Sequence, residues 1–166
     1  MSVKKKRSPK TPIPKQKSSV AAGAESSEAA DRPWFHAGLN FECRECGRCC
    51  TGAPGYVWVS DEEIDALCEH FSMNFEEFEE VYVRKIGRRK SLQEFQNYDC
   101  VFFDRFHQNC KIYTFRPRQC RSWPFWNSNL ESEEAWDAVL RGCPGCGHGG
   151  LIPMEEIMCR KEIIDL

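Results

Sequence analysis

Four thiols fall within eight residues, Cys43-Arg-Glu-Cys46-Gly-Arg-Cys49-Cys50, and seven more follow along a chain of 166. Thiolates spaced by two residues on a glycine-containing loop converge on one point, which suits a metal ion or an iron–sulfur cluster. The spacing recurs as Cys143-Pro-Gly-Cys146, with Cys100, Cys110 and Cys120 in between. The chemistry these residues imply is metal binding through sulfur.

Disulfides, the competing use of so many cysteines, fit poorly. Residues 1–17 are basic and proline-containing, without the apolar stretch of a secretory signal. The cysteine count is odd, and neighbours such as Cys49-Cys50 are awkward partners in a bridge network. In a reducing compartment the same spacing reads as metal, so a cytoplasmic location is expected.

Cys43-x2-Cys46-x2-Cys49 matches the opening of a bacterial ferredoxin run. There three cysteines hold a [4Fe–4S] cube and a remote one, often followed by proline, completes the set; Cys143-Pro144 would supply it. Tetrahedral zinc accepts the same sulfurs, so zinc and an iron–sulfur cluster both remain open. In an extended segment adjacent side chains point opposite ways. Cys49 and Cys50 would then serve one site only through a special turn, and the pair favours two metal positions or one polynuclear cluster.

Cys100, Cys110 and Cys120 sit at ten-residue intervals. A hairpin would bring the first two together as half of a metal site; the alternative is three buried thiols acting as small hydrophobes. Cys68, Cys146 and Cys159 take that bland reading. Four thiolates on Zn²⁺ or on a [4Fe–4S]²⁺ core leave a net charge of about −2, costly to bury without compensation. Arg44, Arg48, Arg116, Arg118 and Arg121 flank the cysteines and either donate to sulfur or are simply solvated. Trp123, Phe125 and Trp126 would form an apolar wall limiting water.

The elements that must position these groups are short. Residues 56–59 read as a strand. Ser60 with Glu63, and Asn74 with Glu77, are capping-box pairs that open two helices. Their apolar stripes are Ile64, Leu67, Cys68 and Phe71, then Phe75, Phe78, Tyr82 and Ile86. Residues 91–95, 98–103 and 110–115 read as short strands, the last two as a hairpin. A third helix is expected over 132–140 and a terminal one over 155–164.

The fold class is therefore a small, irregular, metal-stabilised α+β domain over residues 33–150. A disordered basic tail over 1–32 precedes it, and a C-terminal segment over 151–166 follows. The tail carries eight Lys/Arg against three Asp/Glu, the remainder 15 against 22. An acidic body argues against nucleic-acid binding by the body, leaving weak contact by the tail as the only such partner. No apolar window is long enough to span a membrane.

The combination of Cys43-x2-Cys46-x2-Cys49-Cys50, the stretch Gly55-Tyr-Val-Trp-Val-Ser60, Asp99-Cys100-Val-Phe-Phe103, Cys110-Lys-Ile-Tyr113, Arg116-Pro117-x2-Cys120-Arg121-x2-Pro124-Phe125 and Cys143-Pro144-Gly145 resembles the YkgJ-type cysteine-cluster family, the CxxCxxCC domain. The resemblance runs over residues 41–147. It implies a zinc- or iron-chelating domain of bacterial type, with Cys43, Cys46, Cys49, Cys50, Cys100, Cys110, Cys120 and Cys143 as ligands dividing four plus four. Cys146 stands where an aliphatic residue is expected.

Some members are labelled flagellin N-methylase. No glycine-rich loop here follows a strand and opens a helix, so a methyltransferase cofactor site has no support in the residues. Three functions compete: a non-catalytic metal domain that presents a surface to a protein partner, an iron–sulfur redox or auxiliary protein in a modification pathway, and an enzyme with an open metal position. Catalysis is the weakest of these. The candidate bases His107 and His148 sit in no telling motif, with His148 a substitute ligand for Cys146, and His36 and His70 read as structural or surface.

Overall fold

The computed structural model describes residues 32–163. The tail expected over 1–32 lies, apart from Arg32, outside the described residues. The fold is α+β, built from short helices and two-stranded antiparallel ribbons.

The two capping boxes form as their residues dictate. Ser60 accepts the Glu63 N–H at 3.3 Å while the Glu63 carboxylate accepts the Ser60 N–H at 3.0 Å, opening α1 (Asp61–Phe71). Asn74 and Glu77 repeat the exchange at the start of α2 (Phe75–Tyr82). Helix α2 stops at Tyr82, one turn short of the expected stripe, and Ile86 instead ends strand β2 (Val83–Ile86). The β-branched Val83 and a reversal at Gly87, whose φ is 60°, favour a ribbon with β3 (Arg89–Leu92). The strand expected over 56–59 is reduced to a bridge between Trp58 and Ser91, with Leu92 N–H donating to the Val57 carbonyl at 2.9 Å.

The expected hairpin is present but short, β4 (Phe103–Asp104) against β5 (Asn109–Cys110). Residues 113–115 form a 3₁₀ turn rather than strand. Four further elements were not expected. Strand β1 (Leu39–Phe41) pairs with β6 (Cys146–Ile152), and α3 (Arg118–Ser122) and α4 (Asn127–Leu130) frame a cis Trp123–Pro124 bond. Helices α5 (Glu133–Gly142), capped by Ser132, and α6 (Met154–Glu162) complete the chain.

Apolar side chains gather in two separate cores. The first unites Val59, Ile64, Leu67, Phe78, Leu92, Phe102, Phe103 and Ile112 from α1, α2 and the ribbons. The second unites Phe35, Phe125, Leu130, Trp136, Val139 and Ile157, from the chain entry and the C-terminal third. Cys50 and Cys110 pack on the rim of the first, Cys143 on the rim of the second.

Candidate metal centre

Between these cores lies a cavity of about 560 Å³. Its wall takes Leu92 and Ile112 from the first core, Val139 with Phe41 and Trp123 from the second, and all eight motif cysteines. Five separate stretches of chain deliver those thiols, so the convergence is a product of the fold.

The Cys43–Cys50 loop turns at Gly47, whose φ is 67°. A Cβ there would stand 2.3 Å from the Phe103 ring, so the backbone needs both the left-handed conformation and the missing side chain. Arg48–Cys50 then winds into a single 3₁₀ turn, closed by the Cys50 N–H donating to the Gly47 carbonyl at 2.8 Å. With this turn in place, the adjacent residues Cys49 and Cys50 line the same cavity.

Backbone bonds carry the arrangement onward. The Cys100 N–H donates to the Cys50 carbonyl at 2.8 Å, and the Phe103 N–H to the Cys100 carbonyl at 2.8 Å. Phe103 in turn pairs with Cys110 across the hairpin. Buried Asp99 accepts a hydrogen bond from Arg105 Nε at 2.7 Å, holding the hairpin's approach.

Cys120 arrives on α3, which docks on α1 and the strand-like segment before it. The Glu63 carboxylate that completes the α1 cap also accepts the Arg118 N–H at 2.6 Å. Gln119 accepts the Trp58 N–H at 2.7 Å and donates to the Tyr56 carbonyl at 2.9 Å. Cys143 closes α5, its N–H on the Val139 carbonyl at 2.8 Å.

The electrostatics are those of an ionisable sulfur cluster. The Cys50 thiol is hydrogen-bonded to Cys49 and Cys110, and its own pKa is raised by both contacts. That contact lowers Cys49 to about 7, against burial and with help from Arg116. Cys110 is lowered to about 7 in the same way. Burial pushes Cys100 up to about 11 and Cys120 upward as well.

Of the five flanking arginines, Arg116 reaches sulfur, its Nη1 standing 3.8 Å from Cys43 Sγ. Its guanidinium stacks 3.6 Å over the Tyr113 ring, and the Cys43 contact raises the Tyr113 pKa. Arg44 instead pairs with Glu42 at 3.1 Å, Arg48 donates to the Gly142 carbonyl at 3.3 Å, and Arg118 and Arg121 face Glu63. Their charges serve the scaffold. Trp123 and Trp126 line the cavity as the expected wall, whereas Phe125 is fully buried in the second core.

Cys68 is buried in α1 with its thiol 3.7 Å from the Asn74 carbonyl, and Cys159 is exposed on α6. Cys146 is buried, its thiol hydrogen-bonded to Cys143. His107 pairs with Asp104 at 2.9 Å at the exposed hairpin tip. His148 is exposed on β6. Tyr113 is the contact that sequence reasoning missed; an aromatic three residues before an arginine is too common a pattern to signal it.

Among the described residues no three Cys, His, Asp or Glu side chains stand arranged around a single ion position. The thiols ring a volume rather than a point. The donor set nevertheless fits a soft or borderline cation: eight sulfurs and no histidine in the wall. The Trp123 indole Nε1 is buried without an acceptor on a residue of that same wall, and thiolates or a sulfur-bound group would provide one.

The sequence model of the CxxCxxCC family, described as a "putative zinc- or iron-chelating domain", matches residues 42–144. The uncharacterized protein MJ0661 of Methanocaldococcus jannaschii is 33% identical over 89 residues, covering 53% of this chain and 46% of that relative. The chain thus spans less than half the length of that relative. No solved structure matches. No helix among the described residues is long and apolar enough to cross a membrane.

Proposed function

The chain belongs to the CxxCxxCC family, and on that premise we propose that it is a metal-chelating domain holding zinc or iron through the thiolates of Cys43, Cys46, Cys49, Cys50, Cys100, Cys110, Cys120 and Cys143. The observation that supports this most is that all eight line one cavity between two cores. The bound cation supplies positive charge that keeps the thiolates ionised and joins their chain segments. The protein's part is to bring those segments together: the 3₁₀ turn for Cys49 and Cys50, the backbone bond to Cys50 for Cys100, the hairpin for Cys110, α3 for Cys120 and the α5 terminus for Cys143. Arg116 offsets the charge near Cys43.

A comparison of two serine variants tests the reading. Cys49→Ser is expected to lose metal and solubility together, because that thiol touches Cys50 inside the cluster. Cys159→Ser, on the exposed face of α6, is expected to change neither. Elemental analysis of both proteins, purified anaerobically beside the parent, reads the result. Parental metal content in Cys49→Ser would overturn the ligand assignment.

A further inference from the structure

We propose that an arginine-lined cavity beside the thiols is a binding site for a small organic anion, with a carboxylate or phosphate head on an apolar body. The inference goes beyond the chelating reading and does not depend on which metal the thiols hold. The cavity, of about 630 Å³, adjoins the one that the motif cysteines line, and Arg116, Arg118, Arg121 and Arg160 stand in its wall. Such a concentration of guanidinium groups runs against the composition of residues 33–166, which carry 15 Lys/Arg against 22 Asp/Glu.

Two elements bring these side chains together. Arg118 opens α3 and Arg121 follows one turn later on the same face, with Arg116 just ahead of the helix. Helix α6 supplies Arg160. Contacts with the scaffold aim the groups without exhausting them. Arg116 spends Nε on the Tyr113 carbonyl at 2.8 Å and Nη1 toward Cys43. Arg121 Nη1 donates to the Arg116 carbonyl at 2.7 Å, and Arg160 Nη2 pairs with Glu156. A guanidinium has five N–H donors, so each of these keeps donors for a ligand.

The charges do not cancel. One carboxylate, Glu63, faces both Arg118 and Arg121, at 3.5 and 3.9 Å, longer than a good hydrogen bond. Glu42, the acid in the cavity wall, already pairs with Arg44 at 3.1 Å. With Arg44 included, five guanidinium groups stand against Glu42, Glu63 and Glu156. Asp61 and Glu62 lie across Arg118 in a neighbouring pocket, where Lys90 takes Asp61 at 2.6 Å and Arg88 and Arg89 share the wall. Offsetting thiolate charge accounts for Arg116, which touches Cys43, but not for Arg118, Arg121 and Arg160, whose contacts are with carboxylates. The planar fork of arginine matches the oxygens of a carboxylate or phosphate.

The rest of the wall selects an anion with an apolar body. Phe41, Ile152 and Ile163 line the same cavity, and its volume falls in the range of roughly 300–1,000 Å³ usual for small-molecule sites. Cys43, Cys49, Cys120 and Trp123 line both cavities. A ligand held by the arginines therefore lies against the thiols and beside an indole that can report it.

Phenyl phosphate and benzoate are the probes, with benzyl alcohol as the uncharged control. Each is titrated into the full-length protein as purified, followed by calorimetry and tryptophan fluorescence. One equivalent of at least one anion is expected to bind, more weakly as salt is raised, and the tighter of the two identifies the head group. Benzyl alcohol is expected not to bind. Arg160→Gln and Arg121→Gln are each expected to weaken binding about tenfold, whereas Arg88→Gln, in the neighbouring pocket, binds as the parent does. Far-UV circular dichroism and metal analysis are run on the same samples. Should loss of its bond to the Arg116 carbonyl unfold Arg121→Gln, Arg160→Gln decides. A folded parent that binds neither anion overturns the inference, and so does binding that folded Arg160→Gln leaves unchanged. Either result leaves the chelating reading intact, because metal content is measured separately.

Discussion

Stripping the bound metal with a strong chelator is expected to lower the thermal midpoint of this chain by more than roughly 10 °C. The cavity that gathers the thiols separates two cores, one built on Ile64, Phe78 and Phe102, the other on Phe125, Trp136 and Ile157. Each is small, and the thiols on their rims are the groups a cation would join. Structural zinc contributes on the order of 10–16 kcal/mol in small domains, comparable to the whole stability of about 5–15 kcal/mol typical of a folded protein. Removing it would also leave the Cys49 and Cys110 thiols, both lowered to about 7 chiefly by their contact with Cys50, without a cation to compensate them. Circular dichroism melts with and without chelator read the effect. Fluorescence should report it too, because Trp123 and Trp126 line the cavity wall. Superimposable melts would show that the cores do not depend on the metal.

Gly47→Ala should be the most damaging single methyl in the chain's metal loop. The φ of 67° makes any side chain cost roughly 1–2 kcal/mol. The added Cβ would also meet the Phe103 ring at 2.3 Å and the Gln108 carbonyl at 2.9 Å. Phe103 is buried and paired with Cys110, so relief by moving it disturbs a proposed ligand; overpacking of this kind costs about 1–3 kcal/mol more. Gly87→Ala is the matched control. Its φ is 60°, close to that of Gly47, yet nothing lies within 4 Å of the added methyl. Urea unfolding is expected to show a loss of about 1–2 kcal/mol for Gly87→Ala and about 2–5 kcal/mol for Gly47→Ala, with reduced metal content only in the latter. Equal losses, with metal unchanged in both, would contradict the role given to the turn.

What was legible in the sequence is what is local. Ser60 with Glu63 and Asn74 with Glu77 announce their helices because a capping box needs only four residues. The hairpin was likewise readable from two apolar runs around a polar turn, but it pairs Phe103 with Cys110 and leaves Cys100 bridged to Glu94. Strand β6 was not: Cys146-Gly-His-Gly-Gly-Leu-Ile152 has the composition of a loop, and its partner lies about a hundred residues earlier. Helix α3 was hidden between Pro117 and Pro124, and it stands where it does because of Glu63 and the backbone of residues 56 and 58.

The site divides in the same way. Its cysteines were all visible as candidates, and the shared cavity is where the fold puts them. For Cys49 and Cys50 the sequence names the need for a special turn but not the turn itself, because the left-handed Gly47 that starts it leaves no periodic trace. The arginines show the limit of proximity along the chain. Arg118 and Arg121 flank Cys120 on a helix, but their guanidinium groups face the Glu63 carboxylate, whereas Arg116 is hydrogen-bonded to a sulfur.

The central claim is that these thiols hold a metal, and the most direct measurement is metal and acid-labile sulfide content, with an absorption spectrum, on the parent protein purified anaerobically. At least one zinc or iron per folded chain, lost on alkylating the thiols under denaturing conditions, is the predicted result. Folded, reduced protein that carries no metal and takes none from equimolar zinc or ferrous iron would contradict the account.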